Sequence, residues 1–418
     1  MNKGLTKCAV LCSLAMAAFA VNAKPFDGRQ DGMGGTGVSG AHYKSAAFFN
    51  PALVAKSGEN DGVAVVLPTV GVEGHDGGGM IKNAETIQDA YDSLNGLKGL
   101  TPDIASDDQR ALATEMSNKA TAALKDMNGK MVDLDVGVNM AVTVPMESFS
   151  VALHAATYVN AHAITDISEN DFIQHTDPLT GAIVTLPTDK DDLESVAIGY
   201  AAATTDIGVT LAKEFNGPFG KQWFGVTPKF QRIDVANISS NLADSDGFDD
   251  IRDLEASKNG FNLDLGYATE LPHNLIGGVA VKNAIPQKLS APISKGIQAE
   301  YTVSPVVTTS LTWNPLESLA VSGDIDLTPA KHFTGMQGVE GFDAANDDVQ
   351  MLGVGAEYNL ASWVQVRGGY KLNMVGNKSS MLTAGLGFSP FDVFHIDLAG
   401  SYAGNDEAGV TLQTSLTF

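Results

Sequence analysis

Cysteine is almost missing from this sequence. There are two among 418 residues, Cys8 and Cys12, and both fall in an N-terminal stretch that reads as an export signal. The chain beyond Ala23 has no thiol, which excludes disulfides, thiolate catalysis and cysteine-ligated zinc there. Basic residues are scarce as well: 26 Lys and Arg stand against 49 Asp and Glu, for a formal net charge of −23. With no basic cluster, the composition argues against direct nucleic-acid binding. Long apolar runs are also lacking. Beyond residue 23 no stretch approaches the roughly 18 apolar residues that a spanning helix needs.

The first residues carry Lys3 and Lys7, an apolar run from Ala9 to Val21, and Val21-Asn22-Ala23. This is the pattern of a bacterial signal peptide, expected at 1–23 with cleavage after Ala23. Ala9-Val10-Leu11 before Cys12 is a poor lipoprotein signal.

What the chain has in abundance is glycine, 44 residues, and alternation. In VDLDVGVNMAVTV, Val132, Leu134, Val136, Val138, Met140, Val142 and Val144 share one face, while Asp133, Asp135, Asn139 and Thr143 share the other. The final GVTLQTSLTF sets Val410, Leu412, Leu416 and Phe418 against Thr411, Gln413, Ser415 and Thr417. That period marks strands with one oily and one wet side. Charged residues recur in mid-strand, always on the wet face: Asp133, Asp135, Asp264, Asp324, Asp326, Glu357, Arg367, Lys371 and Asp397. In a soluble sandwich that face would be the outside; in a membrane barrel it is the lumen.

Connection lengths separate the two. Strands are expected at 61–72, 132–144, 147–160, 194–215, 222–236, 259–270, 274–283, 298–313, 317–328, 348–360, 362–373, 378–389, 391–403 and 407–418. The fourth is long enough to be two, so the count lies between 12 and 16. The links after the first, third, fifth, seventh and ninth are long, and the even-numbered ones are short. A sandwich has no reason to keep that parity, whereas an outer-membrane barrel has short periplasmic turns and long outer loops. The expected fold is all-β: a transmembrane antiparallel β-barrel of about 14 strands over 61–418. The last strand closes on the first, and Phe418 on the lipid face is a signal for the barrel assembly machinery. Lipid and lipopolysaccharide of a Gram-negative outer membrane are then the expected surroundings.

Two segments break the strand pattern. Residues 80–130 read as a helical insert in the first outer loop, with a capping box at Ser106–Gln109 and an apolar stripe of Leu112, Met116, Ala120, Ala123 and Met127. It is either a cap stiffening the rim or a ligand-capture site, for which Leu112, Met116 and Met127 are the candidates. The Gly-rich segment 24–60, ending in Phe48-Phe49-Asn50-Pro51-Ala52-Leu53, has the character of a plug or hatch folded into the lumen. The lumen-facing charges are either an ion-pair network holding that hatch or a polar pore lining.

Other chemistry is thinly supported. Asp244, Asp246, Asp249 and Asp250 surround Gly247 in one acidic loop, either solvated or a Ca²⁺ site, though no Glu follows at EF-hand spacing. Gly35-Thr-Gly37-Val-Ser-Gly40 fits a dinucleotide fingerprint, but no strand precedes it. His42 and His75 fall outside the expected strands, and no histidines are spaced as metal ligands. No G-x-S-x-G occurs. An enzyme is not expected, nor a cofactor beyond a possible loop Ca²⁺.

The opening DGMGGTGVSGAHYKSAAFFNPALVA resembles the N-terminus of the FadL-like long-chain fatty-acid transporter superfamily of outer-membrane barrels. More closely, PFDGRQDGMGGTGV, NPALVA, GVTPKFQRIDV, LTWNPLESLAVSGDIDL, GVGAEYNL and LTAGLGFSPFDVFHIDLAGSY resemble the TraF-like conjugal transfer proteins, over most of 25–418. The FadL-like resemblance implies a barrel that takes up small hydrophobic molecules past a hatch, with Phe48, Phe49, Asn50 and Pro51 at the hatch and Asn50-Pro51 in its turn. The function expected is passive uptake of such molecules. The alternative is a non-transporting envelope structural or interaction protein linked to conjugative transfer.

Overall fold

The computed structural model describes residues 25–418 apart from 59–60, 77, 147, 187–191, 242–254, 295, 339–346, 391–392 and 405–406. The expected signal peptide and the acidic loop residues Asp244, Asp246, Asp249 and Asp250 lie outside the described residues.

Alternating sequence becomes a closed antiparallel barrel. Its strands are β1 (Ala64–His75), β2 (Met131–Val144), β3 (Ser150–Asp166), β4 (Val196–Asn216), β5 (Lys221–Asn241), β6 (Glu255–Leu271) and β7 (Leu275–Lys282). They continue as β8 (Val306–Leu316), β9 (Leu319–Asp326), β10 (Met351–Ala361), β11 (Val364–Asn373), β12 (Met381–Phe388), β13 (Phe394–Gly404) and β14 (Glu407–Thr417). Each strand pairs with its neighbours in the chain, and β14 pairs back onto β1, with Val65 opposite Leu416 and Val72 opposite Val410. β1 bulges where Pro68 removes a donor: its register shifts after Val66 against both neighbours.

The two faces separate as the alternation requires. On β14, Val410 and Leu412 point out and are exposed, while Thr411, Gln413 and Ser415 are buried inside. Val138, Met140 and Val142 on β2 and Leu398 on β13 continue the outer apolar belt. A belt this wide in water would drive association; lipid is its natural solvent. Trp313, Trp363, Tyr358, Phe388, Phe215 and Phe224 are exposed near the short-turn end, the place of an aromatic girdle at a membrane interface.

The structure redraws some expected boundaries. The fourth strand is one element. The stretch 298–313 splits: Gln298–Val303 joins Gln287–Ser290 and Phe333–Gln337 in a separate small sheet, and only β8 belongs to the barrel. Ser304-Pro305 sits at the break, and Pro305 has no N–H to carry a ladder across it.

The N-terminal segment contains one turn of helix, α1 (Gly28–Asp31), and two 3₁₀ turns, Ala46–Phe48 and Pro51–Ala55. The insert is two helices, α2 (Met80–Asn95) and α3 (Asp107–Met127). Ser106 and Gln109 close the capping box on α3 as the spacing predicts. The buried face of α3 is Ala113, Ser117, Ala120, Ala123, Leu124 and Met127, packed with Tyr91, Leu94, Ile167 and Leu186. Leu112 is 37% exposed and does not belong to it. Ala120, Ala123 and Met127 of the expected stripe are buried; at its start the small Ala113 takes the core position in place of Leu112.

Replacing Leu398 by Arg places a charge in the outer belt, 45% exposed on β13. Near the bilayer midplane this should destabilise the barrel by about 2–4 kcal/mol. Urea titration of the protein folded into lipid vesicles measures it.

Candidate functional site: a plugged lumen

The N-terminal segment crosses the lumen and is bonded to opposite walls. Asp27 caps α1, accepting from the backbone N–H of Arg29 at 3.0 Å and Gln30 at 2.9 Å. Gln413 on β14 donates to Asp27 at 3.1 Å and accepts from the Gly28 N–H at 3.2 Å. Arg29 then reaches Glu357 on β10 through two hydrogen bonds, 2.9 and 2.8 Å. Glu357 also accepts from Arg367 at 2.6 Å, and Arg367 donates to Asp397 at 2.6 Å. One plug cation and one wall cation thus alternate with two wall carboxylates. Away from bulk water such charges are tolerable only when each is paired.

Further along, Asp324 accepts from the N–H groups of Gly37 at 2.8 Å and Val38 at 2.9 Å. Ser39 bonds Ser310 and Thr312 on β8 at 2.6 and 2.7 Å. Asn50 ties the turn before Pro51: its Oδ1 accepts from the Ala52 N–H at 3.0 Å, and its Nδ2 donates to the carbonyls of Val38 at 2.6 Å and Tyr267 at 3.1 Å. Phe48 and Phe49 are buried with Leu53, Tyr158 and Trp223. The wall makes room with glycine: a Cβ on Gly266 would strike Asn50, and one on Gly355 would strike the backbone of Met33.

The other wall charges fall into separate groups. Lys229 joins Asp206 and Asp264 at 2.8 and 3.1 Å, and Lys282 joins Asp264 at 2.7 Å. Asp326 accepts from Thr308 at 2.6 Å and from the Met351 N–H at 2.9 Å. Toward the loop end, Asp133 pairs with His162, Asp135 with Lys378, and Glu73 with Lys371.

Above the plug the small three-stranded sheet folds inward. Tyr301 and Phe333 pack against Ile198, Tyr200, Ile233 and Val235 of β4 and β5. Asp347 holds this sheet by accepting from the Phe333 N–H at 2.8 Å, and burial raises its carboxyl to about 6. His162 on β3 and Asp133 on β2 face it, with Asp348 beside it on the loop. Between sheet and plug lies a cavity of about 230 Å³, with Phe26, Val38, Phe48 and Phe49 on the plug side and Tyr301 and Val303 opposite. No residue of 80–130 lines it. Met127 is buried in the cap and Met116 packs at that core's edge.

Sequence reading placed the wall charges on one face but missed the plug residues that bond the wall: Arg29 to Glu357, Asp27 to Gln413, and Asp31, which accepts from Thr411 at 2.7 Å. A lone Arg among glycines was the available signal. It also placed Glu73 and His75 off the strands. β1 runs three residues further than expected and ends at His75, which faces the lumen beside Glu73 and Glu407.

Residues 47–326 match the family described as F plasmid transfer operon, TraF, protein. Among curated proteins none matches the chain. Among solved structures the chain is similar to the TodX deltaS2S3 mutant monoaromatic hydrocarbon channel, at 12% identity over 94% of this chain and 99% of that one, with a TM-score of 0.50. It is similar to the toluene transporter TbuX of Ralstonia pickettii at 12% identity, over 95% and 99%, with a TM-score of 0.50. It is also similar to a FadL homologue of Pseudomonas aeruginosa at 13% identity, over 96% and 99%, with a TM-score of 0.50. At these identities the likeness is one of fold.

Without Arg29, Glu357 keeps its bond from Arg367 and the plug loses its charged tie to β10. Arg29→Ala should loosen the plug by about 1.5–3 kcal/mol, the worth of a hydrogen bond to a charged group, and expose 25–55 to protease while the barrel stays folded; timed proteolysis reads this. A second expectation concerns pH. The carboxyl of Asp347 binds its proton more tightly folded than unfolded. Its stabilisation of the inward sheet is therefore full below its ordinary value of 3.8 and lost as pH rises to about 6. Hydrogen exchange of 333–337 should quicken across that window, and Asp347→Asn should flatten the response.

Proposed function

The chain belongs to the F plasmid transfer operon TraF protein family, and from that premise and the lumen geometry we propose that it is an outer-membrane channel for passive uptake of small hydrophobic molecules. The observation that carries this reading is the cavity in the lumen between plug and inward sheet, lined by plug aromatics. Long loops and the helical cap face outward, and both ends of the barrel segment face the periplasm. A ligand enters from the loop end, displaces water from the apolar floor and rests against Phe48 and Phe49. Passage beyond requires local rearrangement of the plug. Full ejection would break the Arg29–Glu357 pair, the Asp324 and Ser39 bonds and the Asn50 turn together, so a partial shift is the low-cost route. The solved neighbours, a monoaromatic hydrocarbon channel and a toluene transporter, support the substrate class. The protein acts without catalysis, in contact with lipid and lipopolysaccharide, and Phe418 is exposed for the barrel assembly machinery.

A second reading is favoured by the family match itself: an envelope component of conjugative transfer with a permanently closed lumen. Uptake of radiolabelled toluene by a Gram-negative host separates them. Cells expressing the full chain should take it up several-fold faster than cells carrying an empty vector. Equal rates, with heat-modifiable barrel present in the outer membrane, would overturn the channel and leave the envelope component.

A further inference from the structure

Near the loop end, three adjacent strands gather acids around one imidazole. Glu73 on β1 stands directly opposite Asp135 on β2, an arrangement of like charges that costs stability unless something cationic lies between. His75, two residues on and on the same face, sets its Nε2 at 3.2 Å from Glu73 Oε1. One ligand atom each from Glu73, His75 and Asp135 lies within 4.8 Å of the others, and all three residues line the lumen cavity. On the far side of the ring, His75 Nδ1 is 3.5 Å from Glu407 Oε2 on β14. His75 is 5% and Glu407 2% exposed. Among the described residues neither of those two atoms has a hydrogen-bond partner, which is unusual for buried polar groups.

We propose that Glu73, His75 and Asp135 form a binding site for one divalent transition-metal ion of the zinc class in the lumen wall, with Glu407 positioning the imidazole. Two donors each about 2.0–2.1 Å from a tetrahedral ion lie about 3.3 Å apart, which is the spacing of His75 Nε2 and Glu73 Oε1. A ligating histidine ordinarily gives its other ring N–H to a carboxylate, which fixes tautomer and orientation; Glu407 stands where that partner belongs. An imidazole with two carboxylates suits zinc rather than calcium, which takes oxygen donors alone. Three protein donors leave a fourth position open to the cavity.

The site has a built-in competitor. Lys371 pairs with Glu73 and Lys378 with Asp135. Two ammonium groups carry the charge of one dication, so the ion replaces them like for like and the lysines swing toward the cavity. Lys378 lies in the link between β11 and β12, and its release loosens that link from β2.

The inference does not depend on transport. It is tested on the full chain in detergent, stripped with chelator and titrated with Zn²⁺ by calorimetry, with Co²⁺ absorption as a second probe. One equivalent should bind. His75→Ala and Asp135→Asn should weaken binding at least 100-fold, and Glu407→Gln by about 10- to 100-fold. Lys371→Met should tighten it by removing the competitor, a gain that a merely structural role for these residues would not produce. His175→Ala, on an outer loop, should change nothing. Each variant is first checked for the heat-dependent gel shift of a folded barrel. Absence of stoichiometric binding, or equal binding by folded His75→Ala and Asp135→Asn variants, would overturn the site. Unchanged or weaker binding in Lys371→Met would overturn the exchange.

Discussion

Closure of the sheet is the constraint from which the rest follows. A strand in lipid has no water to satisfy its N–H and C=O groups, so a membrane sheet must have no edge. Here that condition is met where β14 pairs onto β1. Once the ring is closed, each side chain points either to lipid or to the lumen, and the period-two alternation becomes a sorting rule. Charges can go only inward. This is why a chain with so many acidic residues carries an apolar outer belt.

Closure then creates a second problem, because a ring of fourteen strands encloses more space than its own side chains fill. The chain fills it with two structures of different origin. The N-terminal segment packs the turn-end lumen, using glycines in the wall to bring backbone against backbone. The small sheet formed from the links after β7 and β9 fills one side of the loop end. The cavity is the space they leave. Its apolar floor is contributed by the plug and its charged rim by the wall, so movement of the plug alters the cavity directly. The charged groups are grouped by strand position, with Arg29 alternating with wall residues on β10, β11 and β13, and the acids of β1, β2 and β14 around His75.

Much of the barrel was legible because alternation is a local signal and parity of link length is a simple one. Strand count, closure and the wet face of Asp133, Asp264 and Asp397 followed from them. Three features were less accessible. The sheet containing Gln298–Val303 has the same alternation as a barrel strand, and only tertiary packing onto Ile198 and Ile233 tells them apart. The α3 stripe differs at its start because Ala113 takes a buried position that a leucine-based reading gives to Leu112. The plug contacts depend on residues hundreds of positions apart: nothing local marks Arg29 as the partner of Glu357, or Asn50 as the reason Gly266 has no side chain.

The central claim is that passage through this barrel requires the plug to move. Ser39 on the plug and Ser310 on β8 have their hydroxyl oxygens 2.6 Å apart, and the chain beyond residue 23 has no other cysteine to interfere. A Ser39→Cys, Ser310→Cys variant joined by a disulfide locks plug to wall. The most direct measurement is toluene uptake by cells bearing this variant, oxidised and then reduced. The account predicts uptake at background when oxidised and restored by reductant. Uptake above background that is the same in both states would contradict it.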